Sequence, residues 1–227
     1  MKLSVKALKK KFPVDQFFFR RSYSQEGEDM IYHSFFEGRK KYKGFYVDVG
    51  AHHPFRYSNT LHFYQQGWKG INIEPTPGAI KLFQMFRKRD INLNVGIHTQ
   101  EGTLPFYCFN EPALNSFNQE ASEYKSATTR YFIKKIIPVP TVPLAQVLDQ
   151  HLPPGQTIDF LNIDAEGVDL AVLQSNDWSR YQPLFIMVEA SIDIQQLTNA
   201  DVYQFLMARG YKLVAKTMRT LFFKLQQ

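Results

Sequence analysis

Three stretches of the chain place acidic side chains where short apolar runs meet glycine or proline. In Val47-Asp48-Val49-Gly50-Ala51, Asp48 stands where a carboxylate orients the following turn or meets a cationic amine. The small residues after it let backbone N–H groups approach a ligand. In Ile71-Asn72-Ile73-Glu74-Pro75, the acid comes 24 residues after Gly50, near the spacing of about 20 at which an acid accepts ribose hydroxyls in nucleotide-binding folds. The run from Ile158 to Asp164-Ala165-Glu166-Gly167 delivers two acids to a glycine turn. There they could contact an ammonium group, take a proton or bind a divalent cation. Conformational alternatives stand beside these readings: Asp-x-Gly ends many strands, and acids at a helix opening favour the helix dipole.

The loop after Val49 reads Gly50-Ala51-His52-His53-Pro54-Phe55, without the later glycines that cradle a pyrophosphate. A nucleoside ligand lacking phosphates fits better, and S-adenosylmethionine is the common one.

From Phe45 onward, β-rich and helical runs alternate, as in βαβ units around a parallel sheet. Strands are expected at Phe45–Val49, Gly70–Glu74, Ile91–Ile97, Ile158–Asp164, Leu184–Glu189, Tyr211–Lys216 and Thr220–Leu225. Helices are expected from Ser24 to Glu37, from Ser58 to Gln66 with Gly67 as the stop, from Thr76-Pro77, and from Thr198 or Asn199 to Gly210. Only Thr217, Met218 and Arg219 separate the last two strands, so these must form an antiparallel hairpin. The resulting expectation is a doubly wound α/β fold: a mostly parallel seven-stranded sheet ending in a C-terminal antiparallel hairpin, an arrangement that resembles the Rossmann-like fold of class I methyltransferases.

Between about 98 and 157 the rhythm breaks. Gly102–Phe109 looks like a strand and Gln119–Arg130 like a polar helix, while Pro138, Pro140 and Pro143 argue against a central strand over Ile136–Val142. We read this stretch as a substrate-side insertion. The expected organisation is a basic arm over 1–22 followed by one domain over 23–227.

Hydrophobic residues make up 44% and aromatics 15% of the 227 residues, enough for a packed core. The net charge of +6 is local, because residues 1–21 hold seven bases against Asp15 and the remainder balances. A neutral body argues against nucleic acid as a partner. Leu3, Ala7 and Leu8 among the arm's lysines could touch anionic lipid weakly. The lysines after Met1 lead into no unbroken apolar stretch, and no run approaches the roughly 18 apolar residues of a membrane span. With Cys108 alone, disulfides and cysteine-rich metal sites are excluded within the chain. These features fit a cytoplasmic protein, peripheral to the inner membrane face if the arm engages it.

Six ordered segments resemble the FkbM-type methyltransferases: Tyr23–Asp29, Val47–Ala51, Ile73–Pro75, Asn94–Ile97, Asp159–Gly167 and Phe185–Glu189. The resemblance implies S-adenosylmethionine as cofactor and methylation of hydroxyls on sugars, glycolipids, polysaccharides or natural products. By position, Asp48, Gly50 and Ala51 would shape the cofactor loop and Glu74 would hold the ribose. Asn94 to Gly96 would flank the adenine, Asp164 would face the methionine end, and Gln25, with Glu28 and Asp29, would belong to a lid. Two departures stand out: Asn162 replaces a frequent lysine, and His52-His53-Pro54 replaces a smaller turn.

A sugar hydroxyl must lose its proton on methylation, and the candidate bases at the carboxyl edge are His52, His53, Asp164, Glu166 and Glu189. Alternatively, Asp164 and Glu166, with Glu189, would hold Mg²⁺ that acidifies the acceptor; no ligand spacing in the sequence demands a metal. The expected activity is O-methyl transfer to a sugar-containing acceptor. An RNA or protein methyltransferase, suggested by the basic arm, and a non-catalytic binding module that keeps the fold are the alternatives.

Overall fold

The computed structural model describes residues 20–39 and 41–226. Most of the basic arm, including Leu3, Ala7 and Leu8, lies outside the described residues. Seven strands build the main sheet: β1 (Phe45–Val49), β2 (Lys69–Ile73), β3 (Ile91–Leu93), β7 (Phe160–Ile163), β8 (Phe185–Glu189), β9 (Tyr211–Lys216) and β10 (Thr220–Leu225). Their order is β3-β2-β1-β7-β8-β10-β9, and β10 alone runs against its neighbours. The reversed strand therefore sits one place in from the edge. The three-residue turn obliges β9 and β10 to pair, and β10 takes the open edge of β8, leaving β9 outside.

Strand β1 is buried along all five residues, as expected of a strand covered on both faces. Alternation sorts the two faces by chemistry. Val47, Val49, Leu161, Ile163, Ile186 and Val188 join an aliphatic core with α5 (Leu144–His151), α6 (Asp169–Gln174) and α7 (Asp201–Met207). Tyr46, Phe160, Phe185, Met187 and Phe222 form an aromatic core with Trp68, closed by Tyr32 and Phe36 of α1 (Glu28–Phe36) and Phe63 of α2 (Leu61–Gln65). Tyr32 stacks on Phe160 with centroids 4.5 Å apart. A cluster of aromatic side chains thus gathers where helix α1 crosses the sheet.

Four local expectations are corrected. The run 91–97 is not one strand: it breaks at Asn94 and Val95, and Gly96–Ile97 (β4) is an outer strand of a separate three-stranded sheet. In that sheet β5 (Gly102–Phe109) pairs antiparallel with β6 (Ile133–Val142), so the proline-bearing run is the middle strand. It tolerates Pro138 and Pro140 because β4 reaches only Thr141 and Val142; at the prolines β6 has one partner and a free edge. Helix α1 starts at Glu28 after a left-handed Gly27 instead of at Ser24. Helix α3 (Ala79–Phe86) starts after left-handed Gly78, because the amide of Ala79 closes a turn onto the carbonyl of Thr76. The remaining helix, α4 (Gln119–Thr128), is capped by the Asn118 side chain. Among the described residues, no helix is long and apolar enough to cross a membrane.

Candidate active site

Strand order reverses at β1, with β2 on one side and β7 on the other. Loops leaving the two directions diverge there and open a crevice beyond the strand ends. Gly50 makes the crevice floor tight. Its φ is 78°, and a Cβ would stand 1.8 Å from the carbonyl oxygen of Asp164, so only glycine lets the β1 loop lie against the β7 loop. The next turn carries His52 at φ 53°, a left-handed conformation that costs a non-glycine residue on the order of 1 kcal/mol. Glu74 holds this turn. Its two oxygens accept the backbone N–H groups of His52 and Thr76, each at 2.7 Å, tying the loop after β1 to the loop after β2. Burial pushes its carboxyl upward.

Asp48 lies beneath the loop, 2% exposed. It accepts from Asn162 Nδ2 at 2.7 Å and Thr60 Oγ1 at 2.9 Å. The buried Arg87 guanidinium donates to Thr60 Oγ1 and Ser58 Oγ, so the network is anchored outside the cavity. Burial raises the Asp48 carboxyl, and the donors from Asn162 and Thr60 oppose that rise.

A second group forms where β7 and β8 end. Ile163 pairs with Val188, so Asp164 and Glu189, one step further, lie side by side on the face that carries Asn162 and Met187. Glu166 joins them: one carboxylate oxygen from each of Asp164, Glu166 and Glu189 lies within 4.8 Å of the others, a donor set with the hardness a divalent cation takes. Lys125 of α4 neutralises Glu166 at 2.9 Å. Burial, then the charges of Glu189 and Glu166, drives the Asp164 carboxyl well up. Burial, then Glu166 and Asp169, lifts Glu189 to about 7. Asp169 takes the turn-closing role that Asp164 and Glu166 were alternatively expected to fill, since its carboxylate accepts the N–H groups of Ala165 and Gly167 at 2.9 and 3.1 Å.

These elements enclose a cavity of about 420 Å³, within the range of about 300–1,000 Å³ usual for small-molecule sites. Gln25, Asp48, Gly50, Ala51, His52, Glu74, Asp164, Glu166 and Glu189 line it. Asn94, Gly96 and His53 lie outside this lining. Asn94 Nδ2 donates to the carbonyl of Glu74 at 2.7 Å and so buttresses the loop from behind. Gly96 faces the Phe117 ring, which a Cβ would meet at 2.4 Å; Val95 between them faces the cavity. His53 Nδ1 accepts the N–H groups of Phe55 and Arg56, both at 3.1 Å, and shapes the turn. His52 is the histidine that enters the cavity, with a buried Nε2 that has no hydrogen-bond partner among the described residues. Burial, then the Arg56 charge, lowers its imidazole to about 4, so it is neutral at ordinary pH.

The segment before α1 covers one side. Asp29 accepts from Ser22 Oγ, Tyr23 N–H and Ser24 Oγ at 2.6–2.9 Å. Glu26 pairs with Arg219 of the β9–β10 turn at 3.4 Å. Gln25 is thereby held over the cavity by its neighbours, while Glu28 and Asp29 serve as anchors. Several lining residues escaped sequence reasoning: Arg56, Tyr57, Glu111, Lys125, Tyr131, Phe106 and Phe117. Most come from the interrupted stretch, whose position was legible but whose inward-facing side chains carry no periodic signal. Arg56 and Glu111 form a two-pronged pair at 2.9 and 3.0 Å across the cavity mouth.

The chain matches the Methyltransferase FkbM domain family over residues 48–213. A crystal structure of an FkbM methyltransferase from Methylobacillus flagellatus KT superposes with a TM-score of 0.50 at 17% identity, covering 88% of this chain and 48% of that one. The chain thus spans about half the length of that relative. A precorrin-6y C5,15-methyltransferase from Geobacter metallireducens GS-15 aligns at a TM-score of 0.43 and 14% identity, over 92% of this chain and 95% of that one. No curated protein matches.

Proposed function

The chain belongs to the FkbM methyltransferase domain family, and we propose that it transfers a methyl group from S-adenosylmethionine to a hydroxyl of a sugar-containing acceptor. The observation that supports this reading is the spread of acids along one cavity wall. Glu74 ends β2 while Asp164 and Glu189 end β7 and β8, two and three strands away in the sheet order, or roughly 10 and 14 Å. That span suits an elongated ligand with hydroxyls at one end and positive charge at the other. Each Glu74 oxygen spends one lone pair on a backbone N–H and keeps one for a ribose hydroxyl. Val95, Ile97, Phe106 and Phe117 supply an apolar wall for a purine ring, and the Asp164 carboxyl faces the cationic end.

When bound, S-adenosylmethionine supplies an electrophilic methyl group on a sulfonium sulfur. The chain's own residues hold the partners in line, which can supply much of the acceleration, and remove the acceptor's proton. Glu189 is the base we assign, because a carboxylate held at about 7 is matched to proton transfer near neutral pH. His52, lowered to about 4, is a far weaker base. Glu166 is committed to Lys125.

Isothermal titration with S-adenosylhomocysteine tests the cofactor half: wild type should bind, and Glu74→Gln, which replaces one acceptor oxygen with an NH₂ group facing a backbone N–H, should bind at least about tenfold more weakly. Absence of heat with wild type would leave a non-catalytic module. Labelled donor incubated with glycan, RNA and protein panels tests the acceptor half, and transfer confined to RNA or protein would overturn it.

A further inference from the structure

Helix α3 is apolar almost all round, yet it lies on the surface. Ile80 and Phe83 face inward against Ala51. Leu82, Met85 and Phe86 are 37, 60 and 45% exposed, and at about 100° per residue they share one arc on the opposite side. Phe55, 44% exposed, extends that face by an edge contact with Phe86 at 4.9 Å. The next two residues, Arg56 and Tyr57, line the cavity, so the apolar face abuts the cavity mouth. Contiguous exposed apolar surface of this kind marks an interaction site.

The charge around it identifies the occupant. Residues 75–89 contain no acid; Lys81 borders the arc on the helix and Lys88 follows its end, both exposed and in no ion pair among the described residues. We propose that this face docks on the surface of an anionic lipid bilayer, with Leu82, Met85 and Phe86 entering the headgroup boundary and the lysines meeting lipid phosphates. Docked this way, the cavity mouth opens along the membrane, in reach of an acceptor held there. The bilayer contact stands independently of the methyl-transfer reading, because vesicle binding needs no turnover.

The test uses the full chain with vesicles of phosphatidylcholine alone and of phosphatidylcholine mixed with phosphatidylglycerol. Wild type should co-sediment with the mixed vesicles and hardly with the neutral ones. Met85→Glu/Phe86→Glu, and separately Lys81→Glu/Lys88→Glu, should each weaken that binding at least tenfold with unchanged circular dichroism. Because Cys108 is buried, Met85→Cys can carry an environment-sensitive fluorophore, whose emission should shift to the blue on mixed vesicles only. Equal binding by wild type and both variants would assign the lipid contact to another surface and overturn the proposal, as would an unshifted fluorophore. So would self-association of wild type that the glutamates abolish, which would make this face a protein interface.

Discussion

Asn162 and Asp48 occupy directly paired positions on adjacent parallel strands, and the Asn162 amide donates to the Asp48 carboxylate at 2.7 Å. The pair joins the two strands whose loops meet at the crevice floor. Asn162→Ala leaves one oxygen of a buried carboxylate without its donor and should lower unfolding stability by about 1–3 kcal/mol in urea titration. An unchanged midpoint would show that the pair is dispensable.

Gly50→Ala should be far more damaging to the site than its single methyl suggests. The new Cβ points at the Asp164 carbonyl, and relief requires the β1 and β7 loops to part. Loss of S-adenosylhomocysteine binding in titration, with a lowered Tm, is the expected outcome; native affinity would contradict the contact.

The Glu189 contribution to stability should fall as pH rises, opposite in sign to that of His52, whose imidazole is lowered to about 4. Glu189 is held at about 7 against an ordinary 4.5, chiefly by burial and then by the charges of Glu166 and Asp169. Between those values Glu189 binds its proton in the native state but not in the unfolded chain, so this contribution is fully present below 4.5, declines toward 7 and is lost above it. Glu189→Gln should flatten that decline and raise Tm at pH 8. A parallel pH profile in the variant would assign the decline to other groups.

Turnover should rise with pH through about 7 as Glu189 ionises, and Glu189→Gln should remove that limb and lower kcat by about 10²–10⁴-fold while donor still binds. His53→Ala, which disturbs only a turn, should cost stability before it costs kcat. Should His52→Ala rather than Glu189→Gln abolish the pH-dependent limb, the base assignment falls.

Arg56→Ala breaks the pair across the cavity mouth. Both partners reach solvent, so the stability change should stay within about 1 kcal/mol, while KM for the acceptor rises and becomes less sensitive to salt. A stability loss with KM unchanged would make the pair purely structural.

Much of this fold is written in short-range patterns. Apolar runs such as Phe45–Val49 and Thr220–Leu225 stand as strands at the residues where the sequence puts them, and the three residues between β9 and β10 admit only a hairpin. Boundaries slipped where competing turns cost little, as at Thr76, or where a single run feeds two sheets, as at Asn94. The prolines of β6 misled because a proline forbids a second partner without forbidding the first.

The sequence alone determined that acids end three strands of a doubly wound sheet, because strand period and chain connectivity are local properties. Only the tertiary structure decided that Asp164 and Glu189 meet while Lys125 takes Glu166, that His52 enters the cavity while His53 folds a turn, and that Val95 lines the wall between Asn94 and Gly96. Those outcomes depend on register between strands distant in sequence and on left-handed backbone at Gly50 and His52, and neither leaves a periodic trace along the chain.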